Sequence, residues 1–215
     1  MRVLDGRSNK SFGRELRTLL IKAGSWGKRR MEKVTASPEG PFVGLIVNPI
    51  AGIGGTVGLK GTDGVEILVE ALRRGGRHVA PGRSVRAINA LKQNLPRFNV
   101  ITCRGEMGED EITAAGVPYE SLRIPIGETT TAADTQAAAK DLEKKVSLIL
   151  FAGGDRTARD ISEAVDRRVA VLGIPCGVKN YSAVFASSPE AAGQVAASFI
   201  LGDIETIDCE VLDFD

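Results

Sequence analysis

From Phe42 onward the chain alternates between two kinds of pattern. Short apolar runs, FVGLIVN (Phe42–Asn48), FNVITC (Phe98–Cys103), YESLRIP (Tyr119–Pro125), VSLILFA (Val146–Ala152) and VAVLGIP (Val169–Pro175), predict strands. The first is nearly unbroken, as expected of a strand buried on both faces. Between the runs, mixed polar and apolar spacing predicts helices over Gly64–Arg74, Ser84–Asn94, Glu109–Ala115, Thr131–Lys144 and Thr157–Val165, with a last one over Pro189–Leu201. Strands alternating with helices make βαβ units, hence an α/β fold with a mainly parallel sheet and helices on both faces. Such sheets bind ligands beyond the carboxyl ends of their strands, which directs attention to the loops that leave those ends.

Residues 1–40 read differently, as a basic, poorly ordered N-terminal extension. They hold ten Lys/Arg and four Asp/Glu, leaving eighteen against twenty-three in the remainder of the chain. SFGRELRTLLIKAG (Ser11–Gly24) has the spacing of a short amphipathic helix, but lacks the apolar core of a secretory signal. The mildly acidic body has no nucleic-acid footprint, and no apolar run reaches the length of a membrane span. Cys103, Cys176 and Cys209 are far apart, and His78 is the only histidine. That spacing speaks against a zinc site or a disulfide framework and for a reducing compartment, expected to be cytoplasmic. With 43% hydrophobic and 5% aromatic residues, 41–202 suffices for one packed domain.

Three loops carry the candidate chemistry. VNPIAGIGGTVGLKGTDG (Val47–Gly64) follows the first long strand; Pro49 turns the chain after Asn48, and Gly52, Gly54 and Gly55 permit the close backbone approach of an anion-binding nest. An empty surface loop is the alternative. FAGGDRTARD (Phe151–Asp160) delivers Gly153, Gly154 and Asp155 to the start of a helix whose N-terminus favours negative charge. Asp155 could take a proton from a substrate hydroxyl or hold a Mg²⁺-bound water; alternatively, Asp155 or Thr157 simply caps the helix. GIPCGVKNYS (Gly173–Ser182) adds a turn at Gly177, an ammonium at Lys179 and hydrogen-bonding groups at Asn180 and Ser182. Cys176 reads as a packing residue. In PIGETTTAADT, Thr131 with Asp134 matches a helix cap, while Glu128, Thr129 and Thr130 could line the same crevice.

Together these stretches resemble the ATP-NAD kinase superfamily, whose mark is a GGDGT loop, here GGDRT at Gly153–Thr157. The resemblance is closer to its ATP-NAD kinase-like, or acetoin-catabolism protein X, branch, through GLIVNPIAGIGGTVGLKGTDG, GEMGED, GETT, GGDRTARD and GIPCGVK. It covers about residues 42–213. It implies a Rossmann-like nucleotide domain followed by an all-β domain, ATP (or a polyphosphate) as phosphoryl donor, Mg²⁺, and NAD or a related hydroxyl compound as acceptor. By position it implies Asp155 as the catalytic aspartate, with Gly153, Gly154 and Thr157 in the phosphate loop and Asn48 after the first strand. A small-molecule nucleotide ligand and a homo-oligomer are expected.

Two departures qualify that expectation. Arg156 replaces the glycine of GGDGT, so its guanidinium either obstructs a nucleotide phosphate or becomes a contact to it, and a positive φ there would cost about 1 kcal/mol or more. Residues 203–215 read as the start of a truncated C-terminal β domain. A binding protein or regulatory subunit without catalysis is therefore the alternative function.

Overall fold

The computed structural model describes residues 1–5, 40–62, 64–127, 129–166, 168–178, 180–209 and 211. Among them the strands are β1 (Arg2–Asp5), β2 (Phe42–Val47), β3 (Asn99–Thr102), β4 (Tyr119–Ser121), β5 (Leu148–Gly153), β6 (Ala170–Pro175) and β7 (Glu205–Asp208). The helices are α1 (Val65–Arg73), α2 (Ala80–Asn94), α3 (Glu109–Ala115), α4 (Ala132–Leu142), α5 (Asp155–Ala164) and α6 (Pro189–Leu201). All strands join one sheet in the order β4-β3-β2-β5-β6-β1-β7, parallel except for β7, which runs antiparallel to β1. The expected α/β architecture is the one observed.

Strand alternation builds two cores. Leu45, Val47, Leu148, Leu150 and Ala152 face α2, α3 and α6, where Ile88, Leu91, Ile112 and Ala196 are buried. Their alternates Ile46, Ile149 and Phe151 face α4 and α5, against Leu142, Ala158 and Ile161. Each large side chain so buried contributes roughly 1.5–3 kcal/mol, which is why the central runs tolerate no polar residue on either face. Helix α1 stands apart: only Ala71 is fully buried, and the helix packs against the short 3₁₀ turn Gly54–Val57.

Several boundaries differ from expectation, and the strand expected over Tyr119–Pro125 ends at Ser121. Helix α2 begins at Ala80 rather than Ser84, because Pro81 occupies its first turn, where a missing N–H costs nothing. Residues 2–5, expected to open the polar extension, form β1 in the sheet, with Val3 and Leu4 buried. Two apolar positions in RVLD are too few for a recognisable period, and the partners lie near the far end of the chain. Residues 205–208, in the stretch expected to lead into a second β domain, form β7 beside β1. The amphipathic segment Ser11–Gly24 lies outside the described residues.

The chain runs from β2 outward through β3 to β4, then returns to β5 and continues through β6 on the other side. The sheet order therefore reverses between β2 and β5. Loops leaving these two strands diverge, and a crevice opens between them.

Candidate functional site

Asn48 is the first residue beyond β2 and ties the two diverging loops together. Its N–H donates to the carbonyl of Ala152 at 3.0 Å, extending the β2–β5 register. Its Nδ2 donates to Thr157 Oγ1 at 3.1 Å, and its Oδ1 accepts from the Ile50 N–H at 3.3 Å. The amide thus holds the glycine-rich loop against the first turn of α5.

That loop is a built structure. Gly52 has φ +83°, and a Cβ there would collide with the carbonyl of Cys176, so both conformation and contact demand glycine. Gly54 packs on the Gly61 carbonyl, and its N–H donates to Thr62 Oγ1 at 3.1 Å. Gly54 is thereby pinned to residues 61–62 across the loop.

Helix α5 starts at Asp155, with Gly154 in the cap position and no side-chain cap. Neither Asp155 nor Thr157 serves as the cap that the simplest reading assigned them. Asp155 is 5% exposed. Its Oδ2 accepts from the Tyr181 N–H at 2.9 Å, and its Oδ1 accepts from the Ser182 N–H at 2.9 Å and the Ser182 hydroxyl at 2.6 Å. An ionised carboxylate has about four acceptor positions, so these bonds leave one on Oδ2. Thr157 is buried on Gly153, whose missing side chain lets the helix close onto the strand. Arg156 is exposed in the first helical turn, and no described residue other than glycine has a positive φ. The strain anticipated for Arg156 is absent, because the chain enters a helix immediately after Gly154.

The loop after β6 completes the site. Asn180 Nδ2 donates to the Gly177 carbonyl at 2.6 Å, closing the turn. Lys179 and Glu128 lie outside the described residues. Burial pushes the Cys176 thiol, and likewise that of Cys103, up to about 12, so neither is a thiolate nucleophile near neutral pH. Asp134 accepts from the Thr131 N–H at 2.7 Å, which makes the cap of α4 as the sequence suggested. Glu109 is held below the usual carboxylate range by the Ser121 hydroxyl at 2.7 Å and the Gly105 N–H at 3.0 Å. It stitches its own loop.

These elements enclose an open cleft of about 570 Å³. Asn48, Gly52, Gly55, Gly154, Asp155, Arg156, Thr157 and Gly177 line it, whereas Gly54 packs on Gly61 and Gly153 on Thr157, outside the lining. Lys60, Thr62 and Arg159 also line it and were missed. Lys60 had a signal, a lone cation inside a glycine-rich loop. Arg159 had a weaker one, the three-residue helical spacing from Arg156. Lys60, Arg156 and Arg159 share the cleft with Asp155, Asp160 and Glu163. One acid is partly neutralised in place, since Arg159 Nε donates to Glu163 at 3.0 Å. Among the described residues no three His, Cys, Asp or Glu side chains cluster as metal ligands, and no helix is long and apolar enough to cross a membrane.

Comparison with known proteins gives the geometry a family context. The family model for the ATP-NAD kinase N-terminal domain matches residues 43–204. Among solved structures, a diacylglycerol kinase-like protein from Bacillus anthracis str. Sterne is similar, at 18% identity over 74% of this chain and 40% of that chain, with a TM-score of 0.39. The present chain thus spans less than half the length of that protein. No curated protein matches it.

Proposed function

The chain belongs to the ATP-NAD kinase N-terminal domain family, and from that premise we propose that it is a phosphotransferase. Its cleft would bind ATP, or another polyphosphate donor, and pass a phosphoryl group to a hydroxyl of NAD or a related acceptor. The observation that carries this reading is the meeting, at one cleft, of the glycine-rich loop after β2, the uncapped start of α5 and the loop after β6.

The lining suits a polyphosphate. Backbone groups of a glycine-rich loop and a helix N-terminus attract anions, and Lys60 and Arg156 add formal charge. Mg²⁺ fits as well, because with nucleotides it takes only one or two carboxylates besides phosphate oxygens and water. Asp160 is the cleft carboxylate that could flank it. When bound, ATP with Mg²⁺ supplies the transferable phosphoryl group. Asp155 would orient the acceptor hydroxyl and take its proton through the Oδ2 direction left open by Tyr181. Arg156 would contact the donor phosphates, since its helical backbone leaves the guanidinium at the cleft without strain.

A second reading keeps the ligand and drops the catalysis: Asp155 serves as an anchor for residues 181–182, and the protein binds phosphates without transferring them. Its support is the three hydrogen bonds that already engage the carboxylate. Purified protein with Mg²⁺, NAD and γ-phosphate-labelled ATP separates the two. Label appearing on NAD with wild type and falling at least about a hundredfold with Asp155→Asn is the expected result. Thermal stabilisation by ATP without label transfer would instead establish the binding protein.

A further inference from the structure

Two loops wall the cleft, residues 49–56 after β2 and residues 175–177 after β6, and one short segment outside it reaches both. That segment is residues 76–83, which lead into α2 and form its first turn. On the near wall the Arg77 N–H donates to Thr56 Oγ1 at 3.1 Å, and His78 Nδ1 lies 3.0 Å from the Pro49 carbonyl. A carbonyl only accepts, so His78 carries a proton on Nδ1 and donates it. A Cβ at Gly76 would strike Ile53, and a Cβ at Gly52 would strike Val79, so the segment and the glycine-rich loop touch without a gap. On the far wall Arg83 Nη1 donates to the Pro175 carbonyl. Gly76, Arg77, His78, Val79 and Arg83 all stand outside the lining of the cleft.

Helix α2 gives this segment a fixed base. Ala80, Ala87, Ile88 and Leu91 are buried, and Gly193 of α6 seats directly on the Ala87 carbonyl. The loops are rooted at strand ends, where the Asn48 N–H bonds Ala152 and the Cys176 N–H bonds Gly153, both at 3.0 Å. Where the walls meet, Gly52 abuts the Cys176 carbonyl and Gly55 abuts Val178. Those contacts are steric and limit approach without resisting separation. The hydrogen bonds of His78 and Arg83 do resist it. Arg83 has a second effect: its guanidinium engages the Pro175 carbonyl outside the lining, which keeps that partial negative charge off an anion in the cleft.

We propose that His78 and Arg83 are positioning residues, which hold the two loops from behind at the separation a polyphosphate fills; this assignment rests on the reading that the cleft binds polyphosphate. It gives the lone histidine a role that needs neither a metal nor a substrate contact.

Titration calorimetry with MgATP, run well below the melting temperature of every variant, tests this. Arg83→Met should raise Kd about tenfold, since a charge-assisted bond is lost, and His78→Phe several-fold, each with an unchanged circular-dichroism spectrum. His78→Asn, whose amide NH₂ can donate in place of Nδ1–H, should stay within about twofold of wild type. Arg86→Met removes an exposed ion pair to Glu190 from the same helix and should leave Kd unchanged. Kd values within about twofold of wild type for both Arg83→Met and His78→Phe overturn the positioning role, even where melting temperatures fall. An equal loss of affinity in Arg86→Met overturns it too. Should Arg83→Met not fold, the exposed His78 decides alone, through the contrast between Phe and Asn at that position. A wild type that binds neither MgATP nor tripolyphosphate overturns the polyphosphate reading, and the positioning role with it; binding by wild type with unaffected variants overturns the positioning role only.

Discussion

Asp155 commits three acceptor positions to residues 181–182, which makes its substitution ambiguous and its neighbour informative. In Asp155→Asn an amide NH₂ must replace one oxygen and meet a backbone N–H donor to donor. That change is expected to cost about 1–3 kcal/mol of stability besides any loss of chemistry. Ser182→Ala removes only the hydroxyl donor. If Asp155 acts on substrate, Ser182→Ala should lower kcat modestly and leave the Asp155→Asn defect far larger; comparable losses in both, with matching falls in Tm, would make Asp155 an anchor. Arg156→Gly separates the same readings from the other side. As a phosphate contact, Arg156 should raise the Kd for ATP about tenfold on removal, measured by calorimetry; an unchanged or tighter Kd would make it an obstruction.

At the scale of elements, α3 carries a buried acid with no hydrogen-bond partner for Glu111 Oε2 among the described residues. Burial, helped by the nearby charges of Asp110 and Glu106, pushes this carboxyl up to about 7 from its ordinary 4.5. Between those two pH values the folded chain holds a proton that the unfolded chain has lost, so stability falls as pH rises through the window. Glu111→Gln should flatten urea-derived stability between pH 5 and 8, and at pH 8 raise it by up to about 3 kcal/mol. Elements were also where the sequence spoke most clearly. Apolar runs such as FVGLIVN and LILF announce strands buried on both faces, and Thr131 with Asp134 announces a cap, because these signals are local. Lys60 and Arg159 were not legible in the same way: their place in the cleft depends on how two loops fold towards each other across the sheet. The engagement of Asp155 by Tyr181 and Ser182 spans 26 and 27 residues and leaves no periodic trace.

Across the whole molecule the least legible feature is β1. Its pairing with β6 and β7 unites the start of the chain with residues 170 and 205–208, and the Met1 ammonium donates to the Cys209 carbonyl at 3.1 Å. Leu4 is almost fully buried, so Leu4→Ala should cost about 2–5 kcal/mol in equilibrium unfolding, far more than a substitution in a solvated tail. A change within about 0.5 kcal/mol would show that β1 contributes little to the sheet. This pairing also imposes an order in time. On the ribosome β1 emerges well over a hundred residues before its neighbours β6 and β7, so it must wait while the β2–β5 centre assembles from nearer segments. Closure of that edge is the most non-local step of folding, and until it happens the growing sheet presents β6 as an open rim to whatever strand arrives first.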